Sequence, residues 1–395
     1  MSNNSYFRSS IYHCVERSAS LTPVYFEDGL LVVDIDSGKI IDVGNFSDIE
    51  SGYDVSSNLI HFKDRLIMSG FVDTNLFLDE LIKNGTTTAM TFCASFKQSV
   101  DAFFNASQQR NLRMVAGKVM MDRNAPEMLC DSSEDSYIDS KELIEKWHNN
   151  GRLRYAVTPR FAITSSKSQL EQASKLLSEY PDEDGQKGVL LQTHLNENDE
   201  EIGWVKELFP DSDNYFGVYD DLRITGSNSV FGHCIHNTDD EYLKMAETGS
   251  KVSLCPRSNL FLGSGLFELE KLESYGIDVS LASDVGGGDS FSMFQVMNEA
   301  YKVSRMNDFN LDPVKAFYLT TLGAAKVLNM DDSIGNLEPG KEADFIVIDL
   351  NATEIISQKN KISSSIKETL FNLMTLGDDR LIDEVYIMGQ RTYKK

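Results

Sequence analysis

Four apolar runs in this 395-residue chain end in side chains able to do chemistry. Val189-Leu190-Leu191-Gln192-Thr193 leads into His194, with Glu197 three residues on. Ser229-Val230-Phe231-Gly232 leads into His233. Val279-Ser280-Leu281-Ala282-Ser283 leads into Asp284, ahead of Gly286-Gly287-Gly288. Arg154-Tyr155-Ala156-Val157-Thr158-Pro159 leads into Arg160 and Phe161. Each has a plainer alternative. A strand-end histidine can bond locally, an aspartate can cap the next helix, and an arginine can pair with a carboxylate. Taken together, two imidazoles and a carboxylate suit zinc, and three protein ligands plus a water is a usual catalytic zinc arrangement. Zinc brings the pKa of bound water to about 7, and a carboxylate within reach then moves protons. The chemistry this permits is hydrolysis or hydrolytic deamination. The planar fork of Arg160 and the face of Phe161 suit a flat heterocycle that carries a carbonyl. The glycine run lacks the lysine and hydroxyl of a phosphate loop.

These side chains need a scaffold that gathers strand ends. Eight short apolar runs alternate with helical segments: Leu66 to Asp73, Thr87 to Phe92, Arg113 to Ala116, Arg154 to Val157, Val189 to Thr193, Ser229 to Gly232, Lys251 to Leu254 and Val279 to Ala282. Runs of this kind read as parallel strands buried on both faces. Ser168-x-x-Glu171 and Thr238-x-x-Glu241 are capping-box patterns, the second with a stop at Gly249. Asp312-Pro313 supplies a cap and a first-turn proline. The expectation is an α/β fold, a (β/α)8 TIM-like barrel with its chemistry at the C-terminal strand ends. An open doubly wound sheet is the alternative, without a GxGxxG turn to support it. Both ends of the chain have a different texture. Leu30 to Ile35, Ser37-Gly38 and Ile40 to Val43 read as a hairpin, and Asp344 to Asp349 and Val385 to Met388 as strands. A small β domain from residues 1–65 and 335–395 is therefore expected around a barrel over 66–334.

The charge narrows the partners. Sixty-one acidic against 37 basic residues give a net charge of −24, which disfavours nucleic acid and anionic membranes. No apolar stretch reaches the roughly 20 residues of a membrane span, and the N-terminal residues lack a signal-peptide core. The five cysteines form no CxxC pair, so a reducing, cytoplasmic setting is expected. Cys234 and Cys255 read as buried, unreactive thiols. His13, His61 and His148 lie away from strand ends and read as surface or packing residues, and His236 as a loop residue.

Beyond these readings, the chain resembles the guanine deaminase family of the amidohydrolase superfamily over nearly its whole length. The resemblance rests on Ser69-Gly70-Phe71-Val72-Asp73-Thr74, Asn84-Gly85-Thr86-Thr87-Thr88-Ala89, Thr158-Pro159-Arg160-Phe161 and His194-Leu195-Asn196-Glu197-Asn198. It rests further on Cys255-Pro256-Arg257-Ser258-Asn259-Leu260, Ser283-Asp284-Val285-Gly286-Gly287, Gly340-Lys341-Glu342-Ala343-Asp344 and Leu376-Gly377-Asp378-Asp379-Arg380. It implies a barrel with a small β-sandwich from both termini, a homodimer, and deamination of guanine to xanthine and ammonia. It implies one zinc ion bound or faced by His194, His233 and Asp284. Glu197 would be the proton shuttle, and Asp284 would take a proton from the zinc-bound water. Arg160 would hold the guanine oxygen, and Phe161 would line its pocket.

The family places a His-x-His pair after Asp-Thr, where this chain continues Asn75-Leu76-Phe77. Only Leu76 to Gly85 then precede Thr86, whereas a parallel crossover takes about a dozen residues or more. The barrel is therefore expected to be truncated after its first strand, with a lid and two metal ligands gone, a weakened zinc site and reduced activity. Two other readings compete: a non-catalytic purine binder or partner subunit, and a deaminase of another amino-heterocycle.

Overall fold

The computed structural model describes residues 4–17, 20–56, 58–69, 71–73, 78–183 and 185–395, with the backbone alone for 17, 20 and 71–73. In chain order the strands are β1 (Asn4–Arg17), β2 (Ser20–Asp34), β3 (Lys39–Asn45), β4 (Leu59–Ser69), β5 (Phe71–Asp73), β6 (Thr86–Phe92), β7 (Arg113–Gly117) and β8 (Val119–Met120). There follow β9 (Arg154–Pro159), β10 (Leu190–Leu195), β11 (Ser229–His233), β12 (Lys251–Leu254), β13 (Val279–Leu281), β14 (Phe345–Asp349), β15 (Ile382–Ile387) and β16 (Gln390–Lys394).

Two sheets result. The main one runs β13-β12-β11-β10-β9-β7-β6-β5, with β8 beside β9, and its pairings are parallel. It is curled. Gln192 of β10 donates a 2.9 Å hydrogen bond to the Thr91 carbonyl of β6, three strands away. Flat strands about 4.8 Å apart would hold those groups far beyond reach. Every residue of β9 is buried, as expected for a strand covered on both faces. Met90, Val115, Ala156, Leu190 and Val230, one from each of five strands, pack with the helix Leu322–Val327. The helix Met293–Met306 buries Met293, Val296, Met297, Ala300 and Val303, a spacing of three and four that lays one face on the sheet. Each of the larger of these side chains contributes about 1.5–3 kcal/mol.

The second sheet draws on both chain ends, in the order β16-β15-β14-β4-β1-β2-β3. The expected hairpin is β2 and β3. The strand expected from Leu66 to Asp73 divides: Leu66 to Met68 pair with β1 and β14, and only β5 belongs to the parallel sheet. An apolar run does not say which sheet it joins. Helix caps follow the expected residues at Thr238, whose capping box is complete, and at Asp312. At the helix Lys167–Glu179 the cap is Ser166 rather than Ser168, because Ser166 is extended and accepts from the Gln169 amide. Among the described residues no helix is long and apolar enough to cross a membrane.

The Gly340 to Asp344 stretch joins the two sheets. Arg152 donates to Glu342 at 2.6 Å and also pairs with Asp344, and Arg113 donates to Glu342 at 2.8 Å. Arg152 and Asp344 are buried, so removing one partner of this network strands a charge at about 3–5 kcal/mol.

His13 on β1 is buried, and among the described residues neither ring nitrogen has a hydrogen-bond partner. Burial pushes its pKa down to about 4, with Glu338 raising it and Lys341 lowering it. Between pH 4 and 6.5 the unfolded chain therefore binds a proton that the folded chain refuses, so stability rises with pH across that window. Acidification from pH 6.5 to 4 is expected to remove on the order of 3 kcal/mol through this residue. Urea unfolding of the native chain and of His13→Leu across that range checks it. An equally steep loss in the variant would refute it.

Candidate active site

Four rim residues are held in left-handed backbone conformations that non-glycine side chains seldom adopt: Asn196 (φ 50°), His233 (φ 71°), Cys234 (φ 51°) and Asp284 (φ 46°). Strain of this kind costs about 1–3 kcal/mol per residue and collects at functional sites.

His194 ends β10 with its ring stacked on that of His233 at the end of β11, centroids 5.1 Å apart. His194 Nδ1 lies 2.8 Å from the Arg160 carbonyl. A carbonyl only accepts, so Nδ1 carries the proton and Nε2 keeps a lone pair. Burial pushes the His194 pKa down to about 4, aided by the neighbouring His233. Burial also lowers that of His233. Both imidazoles are thus neutral, the form that binds a metal. Asn259 Nδ2 lies 3.0 Å from His233 Nδ1, while Asn259 Oδ1 is buried without a partner. Turning that amide over lets Oδ1 accept from Nδ1–H, and His233 then presents Nε2 as a lone pair.

Glu197 follows the Asn196 turn, and Asn198 caps the next helix by accepting from the Glu201 amide. Glu197 Oε1 accepts from Ser264 Oγ at 2.9 Å, and Oε2 lies 3.8 Å from His233 Nε2. His236, read from sequence as a loop residue, donates to the Ser264 carbonyl at 2.8 Å and so fixes that serine. One turn on, burial pushes Glu201 up to about 7, with the Tyr215 hydroxyl opposing and the Glu197 charge assisting.

Asp284 follows β13. It does not cap the next helix, whose first flanking residue is Ser292. Gly287 leaves it room: a Cβ there would stand 2.7 Å from Ser258 Oγ and 3.0 Å from Asp284 Oδ2. Arg257 donates to Asp289 at 2.6 Å and clasps this loop to the helix Pro256–Leu262. At the end of β9 the Arg160 guanidinium sits 4.8 Å from the Phe161 ring centroid, and that ring lies 5.8 Å from His194. Arg160 also lines a cleft of about 400 Å³ with Cys93, Ser95, Met121, Asn124 and Pro126.

His194, His233 and Asp284 meet at a space of about 30 Å³, the volume of one water. The tightest metal-like convergence among the described residues is a different triad. One ligand atom each of His233, Cys255 and Asp284 lie within 4.8 Å of one another. Cys255 reads from sequence as a buried, unreactive thiol, and Asn259, Ser264 and Gly287 are given no role in the site there. For Cys255 a signal existed: it directly follows β12, the same rim position that selects the others. Asn75 to Phe77, where the His-x-His pair is missing, lie outside the described residues.

A model of the amidohydrolase family matches residues 61–392. Guanine deaminase of Escherichia coli is 43% identical over 413 positions, covering 94% of this chain and 92% of that protein. Its structure superposes with a TM-score of 0.94 at 41% identity over 99% of each chain. Guanine deaminase from Bradyrhizobium japonicum gives 0.93 at 32% identity over the whole of both chains. Guanine deaminase from C. acetobutylicum, solved with guanine in its active site, gives 0.86 at 26% identity over 99% of this chain and all of that one.

Proposed function

Because the chain belongs to the amidohydrolase family, in its guanine deaminase branch, we propose that it is a hydrolase converting guanine to xanthine and ammonia. The observation that carries the reading is the meeting of His194, His233 and Asp284 at a water-sized space, with Arg160 and Phe161 at the neighbouring strand end.

Two neutral imidazoles and a carboxylate fit zinc, and His194, His233 and Asp284 would hold it. When bound, zinc supplies a Lewis acid that makes water nucleophilic near neutral pH. The chain's own groups do the rest. Arg160 donates to the guanine oxygen, and Phe161 lies along the ring. Asp284 takes a proton from the attacking water. Glu197, steadied by Ser264, delivers a proton to the ring nitrogen beside the amino-bearing carbon; the amine takes the proton held by Asp284 and leaves as ammonia, while the new hydroxyl returns a proton to Glu197 as the carbonyl forms.

The reading includes a barrel over 66–334, truncated after its first strand, with a small β-sandwich domain from 1–65 and 335–395. The truncation has two supports. Among its described residues the connection from β5 to β6 holds one short helix, Leu78–Lys83. Beside it lies an open cleft of about 730 Å³, lined by Leu78, Phe92, Ala102, Phe103 and Val285. With fewer ligands and no lid, turnover falls below that of relatives, since water enters the site. A cytoplasmic homodimer completes the reading; the charge and the free cysteines support the compartment.

The test is incubation with guanine and zinc, following xanthine. Xanthine above the uncatalysed rate is expected. None from folded, zinc-loaded protein would leave a purine-binding homologue instead. Gly287→Ala tests the placement of Asp284. The methyl group collides with the carboxylate, and a misplacement of about 1 Å costs on the order of a hundredfold in rate. A large fall in kcat with thermal unfolding nearly unchanged is expected; unchanged kcat would argue against Asp284.

A further inference from the structure

We propose that in this chain Cys255 takes the place of His194 among the metal ligands named above, so that the centre is His233, Cys255 and Asp284. This rests on reading the site as a metal centre, and the test below separates the two.

Three observations carry it. First, the donor atoms that converge most closely are those of His233, Cys255 and Asp284, within 4.8 Å of one another, and His194 is not among them. In a tetrahedral zinc site, nitrogen and sulfur donors stand about 3.5 Å apart, so the donors draw together by about 1 Å at most on binding. Second, Cys255 lines the same water-sized space as His194, His233 and Asp284, and it is buried. Third, the chain carries Asn75-Leu76-Phe77 where its resemblance calls for two imidazoles. A thiolate is a strong zinc donor and replaces nitrogen readily in mixed sites. On binding, the thiol proton passes to solvent as the metal–sulfur bond forms, so charge and atoms balance.

The surroundings are built for this. Pro256 starts the helix immediately after Cys255, and Asn259, one turn on, holds His233 at 3.0 Å. One short segment therefore presents a donor and orients another.

The test needs no variant to begin. Zinc-edge X-ray absorption of the zinc-loaded native chain is expected to show a sulfur shell near 2.3 Å besides nitrogen and oxygen near 2.0–2.1 Å. Cobalt loading is expected to give a near-ultraviolet thiolate-to-metal band together with the visible bands of the ion. Cys255→Ser should lose that band and bind zinc at least tenfold more weakly, whereas Cys234→Ser keeps both. Bound zinc with only nitrogen and oxygen neighbours would overturn the proposal for Cys255 and leave the metal centre standing. A cobalt band that survives in a folded Cys255→Ser chain would do the same. Failure to bind either metal would overturn both readings. Should Cys255→Ser not fold, the absorption spectrum of the native chain decides alone.

Discussion

Glu197→Gln is expected to reduce xanthine formation by about 10²–10⁴-fold while leaving guanine binding within a few-fold of native. The size follows from what the substitution keeps. Glutamine has the same shape, and its carbonyl oxygen can still accept the 2.9 Å hydrogen bond from Ser264. The pocket and its charge-independent contacts stay, and only the exchangeable proton is lost. Ser264→Ala should act through position alone. Loss of one hydrogen bond to a charged group is worth about 1.5–3 kcal/mol, so its effect is smaller than that of Glu197→Gln. Single-turnover rates with guanine, paired with a binding isotherm for each variant, measure both. A Glu197→Gln chain that retains more than a tenth of native turnover would remove Glu197 from the proton path.

Arg160→Ala should lower kcat/KM for guanine by roughly 10–150-fold, the worth of a charge-assisted hydrogen bond to the substrate carbonyl. The side chain reaches the cleft from the end of β9, backed by Phe161 at 4.8 Å. Arg160→Lys keeps the charge and loses the planar fork, so partial recovery is expected. The decisive comparison is with an aminopurine that lacks the ring carbonyl. Its low rate should be nearly the same in native chain and Arg160→Ala, because the missing partner is then on the substrate. Equal losses for both purines would mean that Arg160 shapes the pocket rather than reads the oxygen. The Arg160 carbonyl is a separate matter: it fixes the His194 tautomer and survives either substitution.

Much of this arrangement is legible along the chain. Each of the four strand ends carries its polar residue directly after an apolar run, and both the run and its end are local. His194, His233, Asp284 and the Arg160-Phe161 pair accordingly come out at the rim of one curled sheet. The Thr238 capping box and the Asp312-Pro313 start hold for the same reason, since a cap is settled within four residues. The third cap moved to Ser166 because two serines at nearby positions offer the same donor and acceptor, and only backbone angles choose between them.

Contacts between distant segments are another matter. Ser264 reaches Glu197 across 67 residues, Asn259 reaches His233 across 26, and Arg152 reaches Glu342 across 190. Leu66 to Met68 read equally well as the start of a barrel strand, yet they pair with the chain's own N-terminal strand and with β14. Cys255 looks inert in sequence because no base lies near it; the strand order, with β12 between β11 and β13, brings it to His233 and Asp284. By itself, the sequence determined which residue types stand at which strand ends, because a strand's apolar run and the turn that stops it are set by near neighbours. Only the tertiary structure decided which of those ends stand side by side, because the order in which strands pair brings together groups that no local preference relates.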